Sequence, residues 1–261
     1  MDTRINQFKQ ALLAHKQQLG LFSTLASPNL VELLAGCGFD WLLLDTEHSP
    51  SDMPEIVSQL QAIAALPCSA IVRPAWLDMV LVKRYLDAGA QSLLYPCIQT
   101  ADEAAAAVSF TRYPPRGVRG VSGSTRAASY GLNNNYFRTA EDQICVLVQI
   151  ETQRGLNNLE AIASVDGVDG VFIGPTDLAA SMGHIGDALH PEVLSAIDDA
   201  FARLRDLGVP AGYLTLNEQE ASRRIAQGVE FVGVATDTSI IMRGAKGLID
   251  RMTAAPVAAH G

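Results

Sequence analysis

Runs of apolar residues that stop abruptly at polar ones recur along the chain. Trp41–Asp45 reads WLLLD, 144–151 reads ICVLVQIE, and 170–175 reads GVFIGP before Thr176 and Asp177. An unbroken apolar run of this length is what a strand buried on both faces of a parallel sheet requires. Further apolar-rich runs fall at 19–25, 70–73, 92–98, 210–214 and 231–235. Between them apolar positions recur at helical spacing, and several segments stop at glycine. Helices are expected over 5–18, 53–65, 78–88, 102–111, 155–164, 189–207, 218–227 and 239–252. Another is opened by Pro28 and Asn29 and ends near Gly36 and Gly38, and the tail beyond Pro256 reads as frayed.

About eight strands alternating with helices in roughly 250 residues is the count of a parallel (β/α)8 barrel, an α/β TIM barrel forming a single domain. A doubly wound open sheet is the alternative. It calls for a glycine-rich nucleotide turn after the first strand, and FSTLASPN is not one. The polar residues also favour the barrel. Asp45 and His48, Arg73, Glu151 and Asp177 fall at the C-terminal ends of strands or just past them, where barrel enzymes place their chemistry.

Residues 112–143 break the alternation with a long connection rich in Gly, Ser, Asn and Arg. Such connections in compact domains are functional or disordered. Arg116, Arg119 and Arg126 could make it a basic cover over an acidic substrate, at its own site or a neighbour's. A solvated or subunit-contact loop is the plainer alternative.

Composition narrows the function. At 48% hydrophobic residues the chain can bury a large core. A net charge of -9 argues against nucleic acid as a partner, because a phosphate backbone needs a basic face. The first eighteen residues mix both charge signs without a long apolar core, so neither a signal peptide nor a membrane span is expected. Cys37, Cys68, Cys97 and Cys145 stand singly, without zinc or redox spacing. That fits reduced, mostly buried thiols in a cytoplasmic protein.

Side chains on a strand alternate faces, so Gln149 and Glu151 share one face, and parallel neighbours lie roughly 4.8 Å apart. Glu151 and Asp177, closing consecutive strands, could therefore reach one cation between them. Taken singly, Glu151 ends a strand and Asp177 caps a helix. Two hard oxygen ligands leave most of a coordination shell to water and substrate, which suits Mg²⁺ or Mn²⁺ better than a closed zinc site. A 2-oxo acid could fill two positions with its carboxylate and keto oxygens. Free N–H groups at Thr176 and Asp177, where a helix begins, favour a bound carboxylate. Arg73 could hold a developing enolate oxygen, or form a surface salt bridge.

His48 follows Asp45 by three residues, and that carboxylate could orient the imidazole and make it a base near neutral pH. A structural histidine is the alternative, and Glu47 is a weaker candidate base. His15, His184, His190 and His260 read as helical, loop or terminal residues. The lysines, Lys9, Lys16, Lys83 and Lys246, all lie away from strand ends, so a Schiff-base mechanism lacks its nucleophile. No Gly-rich phosphate cup follows the last two strands, which disfavours phosphorylated substrates. Metal-assisted enolate chemistry on a 2-oxo acid remains.

With these residues in view the chain resembles the HpcH/HpaI aldolase family over roughly residues 8–252. The most specific segments are FDWLLLDTEHSP, IVRPAW, TRYPPRGVRGVS, VLVQIET and VDGVDGVFIGPTDLAASMGH. The resemblance implies a metal-dependent class II pyruvate aldolase, using Mg²⁺ or Mn²⁺ with Co²⁺ and Zn²⁺ as further options. It implies His48 as the catalytic base, directly or through water, with Asp45 and Asp87 supporting it. By spacing alone Asp87 would only pair with Lys83. Arg73 is implied as the enolate-stabilising arginine, and Glu151 and Asp177 as metal ligands. Gln149, Thr176 and Asp177 are implied at the substrate, and Leu214 on the aldehyde side. The expected partners are a 4-hydroxy-2-oxo acid, pyruvate and an aldehyde carrying a carboxylate. A homohexamer with exchanged C-terminal helices is also implied. Two departures bear on the aldehyde: Thr46, where members tend to have Gly, and SGSTRAASYG in the long connection. Another enolate-forming lyase or decarboxylase, or a non-catalytic 2-oxo acid binder, would use the same residues.

Overall fold

The computed structural model describes residues 3–254. Its strands are β1 (Gln18–Ser23), β2 (Trp41–Asp45), β3 (Ser69–Arg73), β4 (Ser92–Tyr95), β5 (Cys145–Ile150), β6 (Gly170–Ile173), β7 (Ala211–Leu214) and β8 (Phe231–Thr236). They pair in chain order, and β1 pairs in parallel with β8, so the sheet closes on itself. This is the expected (β/α)8 barrel, and the open sheet is excluded.

Helix α1 (Gln7–Leu13) precedes β1. The connections then carry α2 (Pro28–Ala35), α3 (Met53–Ile63), α4 (Met79–Asp87), α5 (Ala101–Thr111) and α6 (Tyr136–Gln143). They continue with α7 (Gln153–Asn157), α8 (Leu159–Ala163), α9 (Pro175–Ser181), α10 (Pro191–Leu207) and α11 (Glu218–Ala226), and α12 (Asp237–Ala254) follows β8. Local chemistry sets the helix starts. Asp52 with Glu55, and Thr100 with Glu103, form reciprocal caps that satisfy first-turn amides. Among the described residues no helix is long and apolar enough to cross a membrane.

Strand alternation divides the interior in two. Leu42, Leu44, Val72, Val146, Val148 and Ile150 point outward and pack against the helices. Trp41, Leu43, Ile71, Leu147, Phe172 and Phe231 point inward and fill the barrel. Gly20 makes room for this filling, since a Cβ there would stand 2.0 Å from the Trp41 ring. Phe8 and Leu12 of α1 are fully buried in the same cluster and plug the barrel.

Several expected segments differ in detail. Strand β4 stops at Tyr95 because Pro96 has no N–H for the ladder and Cys97 turns to φ 58°. The helix expected over 155–164 is two short helices joined at Asn158, whose backbone is non-helical. Residues 112–143 are no bare loop, for they end in α6 and hold buried Arg119, Ala128, Asn133 and Tyr136. They connect a helix to the start of a strand, which places them at the N-terminal end of the barrel, opposite the catalytic rim. Their arginines are engaged there: Arg116 with Glu141, Arg119 with Asp87, and Arg126 with the carbonyls of Ala88 and Leu60. The expected basic cover over this protomer's own substrate is therefore not formed. Cys68 and Cys145 are buried, Cys97 is partly buried and Cys37 is exposed, so the expectation of buried thiols holds only in part. The tail beyond Pro256, with His260, lies outside the described residues.

Candidate active site

The alternation that fills the barrel continues to its C-terminal end, where apolar residues give way to polar ones. On the inward face Leu43 is followed by Asp45, Ile71 by Arg73, and Leu147 by Gln149 and then Glu151. These residues open into a cleft of about 930 Å³. Asp45, His48, Arg73, Gln149, Glu151, Thr176, Asp177 and Leu214 all line it. Asp87 does not. It ends α4 at the opposite end of the barrel and accepts a hydrogen bond from Arg119 at 3.0 Å. No lysine lines the cleft.

Arg73 is fixed from several sides. Its Nε and Nη2 donate to the two oxygens of Asp45, each at 2.8 Å. Nη1 stands 3.0 Å from Glu47 Oε2, an ion-pair contact without hydrogen-bond alignment. The guanidinium also lies over the Phe22 ring, 5.3 Å from its centroid. With Asp45 buried and Arg73 nearly so, the charge is held in place and its remaining donors can serve a substrate oxygen.

Asp45 does not orient the His48 imidazole as expected. Its remaining acceptor capacity goes to the backbone N–H groups of Glu47, at 3.1 Å, and His48, at 3.3 Å. The carboxylate thus shapes the loop after β2 and grips Arg73. The imidazole is exposed, with Nε2 3.9 Å from Glu47 Oε2. Thr46, one of the two departures noted in the sequence, is buried and donates its hydroxyl to the Arg73 carbonyl at 2.7 Å.

Glu151 is buried. Its Oε1 accepts the Cys97 N–H at 2.7 Å, and its Oε2 accepts a hydrogen bond from Gln149 Nε2. Burial pushes the Glu151 carboxyl up to about 7, and the Glu47 and Asp177 charges push the same way. Burial likewise raises Glu47 to about 7 against the pull of Arg73. Asp177 stands in the first turn of α9 rather than on β6. Gly174, between them, must lack a side chain, because a Cβ there would meet Glu151 Oε2 at 2.7 Å. Gln149 Oε1 is buried without a hydrogen-bond partner. Mutually repelling carboxylates around an unsatisfied amide oxygen are a donor set that suits a hard divalent cation.

Three contributors escaped the sequence reading. The Cys97 amide reaches Glu151 through a left-handed turn that Pro96 alone hinted at. Gly174 was visible only as part of GPTD. The wall formed by Gly186, Asp187, Ala188 and Leu189 had no local signal, since it belongs to an irregular segment that tertiary packing brings to the cleft.

Comparison with known proteins extends over nearly the whole chain. The family model described as HpcH/HpaI aldolase/citrate lyase matches residues 18–243. A pyruvate aldolase of Rhizobium etli is 53% identical over 251 residues, covering 96% of this chain and 99% of that protein. A 4-hydroxy-2-oxo-heptane-1,7-dioate aldolase of Klebsiella pneumoniae is 52% identical over 249 residues, covering 95% of this chain and 94% of the relative. The crystal structure of an HpcH/HpaI aldolase/citrate lyase family protein from Burkholderia cenocepacia superposes with a TM-score of 0.93 at 41% identity, covering 95% of this chain and 100% of that one.

Proposed function

The chain belongs to the HpcH/HpaI aldolase/citrate lyase family and is a carbon–carbon lyase of the aldolase type, and from that premise we propose a metal-dependent cleavage of a 4-hydroxy-2-oxo acid to pyruvate and an aldehyde. The observation that carries this reading is the meeting, in one cleft, of an immobilised Arg73 with the carboxylates of Glu151 and Asp177. Glu151 and Asp177 would hold the cation. Mg²⁺ or Mn²⁺ suits them best, with Co²⁺ and Zn²⁺ as alternatives. When bound, such an ion supplies Lewis-acid polarisation of the 2-oxo acid.

The side chains divide the remaining work. His48, exposed at the rim, takes the proton of the C4 hydroxyl, directly or through a water. The C4 carbonyl forms as the C3–C4 bond breaks, and that electron pair becomes the C2–C3 double bond of the enolate. Negative charge develops on the C2 oxygen, where the Arg73 guanidinium stabilises it without having to reorganise. His48 gives that proton, directly or through the same water, to C3 to yield pyruvate, and the reverse of this step is exchange at the pyruvate methyl. Gln149 and Thr176 bind the acid, and Leu214 bounds the aldehyde side. The likeness to a heptanedioate aldolase supports an aldehyde carrying a carboxylate. Asp87 has no part in this protomer's own cleft.

We also propose a homo-oligomer. Along α12 only Asp237 is buried, while Ile241, Met242, Leu248, Ile249 and Met252 are exposed. An apolar face of this extent on a terminal helix suits a second copy of the chain.

The test is hydrogen–deuterium exchange at the pyruvate methyl group in D₂O, followed by NMR. Chelated protein should be inactive, Mg²⁺ or Mn²⁺ should restore exchange, and His48→Ala and Glu151→Ala should abolish it. Folded protein that exchanges nothing with either ion would overturn the reading in favour of a 2-oxo acid binder.

A further inference from the structure

One wall of the cleft belongs to the connection between α9 and α10, through Gly186, Asp187, Ala188 and Leu189. Two tight turns fold this segment. The Asp187 N–H donates to the His184 carbonyl at 3.0 Å, and the His190 N–H to the Asp187 carbonyl at 3.1 Å. The turns bring its ends together. The imidazoles of His184 and His190 stack with centroids 3.6 Å apart and planes inclined by 14°. His184 Nε2 lies 2.9 Å from Glu192 Oε2. One ligand atom from each of the three side chains lies within 4.8 Å of the others, and among the described residues no other trio of His, Cys, Asp or Glu meets that condition.

We infer that His184, His190 and Glu192 form a second divalent-cation site, selective for a borderline ion such as Zn²⁺ and separate from the oxygen site at Glu151 and Asp177. The ligand chemistry sets the selectivity. Imidazole nitrogen favours Zn²⁺, Co²⁺, Ni²⁺ and Cu²⁺, whereas Mg²⁺ prefers carboxylate, carbonyl and water. Two imidazoles and one carboxylate leave one tetrahedral position for water. Ligands about 2.1 Å from a tetrahedral ion stand about 3.4 Å from one another. The ligand atoms already lie within 4.8 Å of one another, and the rings, now nearly parallel, must rotate about their side-chain bonds to turn both lone pairs onto one ion. Access is open, because Glu192 is exposed and His184 partly so.

Loading would also act on the protein. His190 Nδ1 accepts the Glu192 N–H at 3.3 Å and so caps α10. If Nδ1 binds the ion, the cap is lost. If Nε2 binds, the ring proton moves to Nδ1 and the cap is lost again. A bound ion therefore ties the two ends of segment 184–190 together while releasing the first turn of α10. Because that segment is a wall of the cleft, a borderline metal is coupled to the shape of the substrate site.

Co²⁺ titration of the full chain under saturating Mg²⁺, followed by visible absorption, tests this directly. A tetrahedral d–d band should rise to one equivalent per chain and be displaced by Zn²⁺. It should persist in Glu151→Gln and vanish in His184→Phe, which keeps a stacked ring but no ligand nitrogen. Circular dichroism checks that the variants fold. Should His184→Phe fail to fold, Glu192→Gln at the exposed ligand should weaken Co²⁺ by about tenfold or more. No tetrahedral band in the wild-type protein, or a band that survives His184→Phe but is lost in Glu151→Gln, would overturn the assignment.

Discussion

Asp45 and Arg73 are register partners across β2 and β3, and their side chains meet as a two-pronged pair with both contacts at 2.8 Å. Backbone pairing and side-chain pairing thus fix the same residues. Arg73→Lys keeps the charge but loses the planar fork. Its rate of aldol cleavage should fall by about 10²- to 10³-fold in steady-state assays, with the fold retained. Asp45→Asn strands a buried cation with only Glu47 beside it. It should lower stability by about 3 kcal/mol in urea titrations.

The raised carboxyls give the metal-free protein an unusual pH profile. Glu151 and Glu47 are both pushed to about 7, above the ordinary glutamate value. Between the ordinary value and 7 the folded state holds more protons than the unfolded chain, so stability falls as pH rises through that window. A salt-bridged carboxylate with a lowered pKa would do the reverse. Thermal melts in EDTA from pH 5 to 8 should show a declining Tm. Saturating Mg²⁺ should flatten the decline, and Glu151→Gln should remove part of it.

Gly174→Ala isolates the close approach beneath the cation ligand. The backbone at Gly174 has φ -86°, which alanine adopts without strain. The added methyl would meet Glu151 Oε2 at 2.7 Å and Glu151 Cβ at 2.9 Å, so the carboxylate and the strand end that carries it must both shift. Mn²⁺ affinity, read by electron paramagnetic resonance, should weaken by about 10- to 100-fold, and the melting temperature should fall with it as the end of β5 gives way.

The exposed face of α12 predicts the assembly. Ile249→Glu combined with Met242→Glu should shift the mass found by light scattering toward a single chain, since both side chains are exposed in the protomer. A wild-type mass already equal to one chain would refute the proposed oligomer.

The barrel was readable because strands buried on both faces leave unbroken apolar runs, and the rim because those runs end in polar residues. WLLLD is both signals at once. The apolar run placed Asp45 at the C-terminal end of a strand but could not name its partner, since Arg73 is reached through the register of the neighbouring strand. Hence the imidazole of His48 was assigned a carboxylate that Arg73 occupies. Residues 112–143 misled for a related reason. Their Gly- and Asn-rich composition reads as a loop, yet Arg119 is buried with its guanidinium 4.6 Å from the Tyr113 ring and 5.7 Å from the Tyr136 ring. Those contacts depend on packing that no local pattern records.

The α1 plug sets a temporal order on synthesis. Phe8 leaves the ribosome before any strand of the barrel, but its ring neighbours are Trp41 of β2 and Phe231 of β8. The last strand must be made before that seat exists. The clasp at the seam is equally late, since buried Asp237 at the start of α12 accepts hydrogen bonds from Ser23, Thr24 and Leu25 beside β1. The nascent chain therefore carries α1 unhoused until β8 has been made, so docking of α1 belongs to barrel closure rather than to the first folding step.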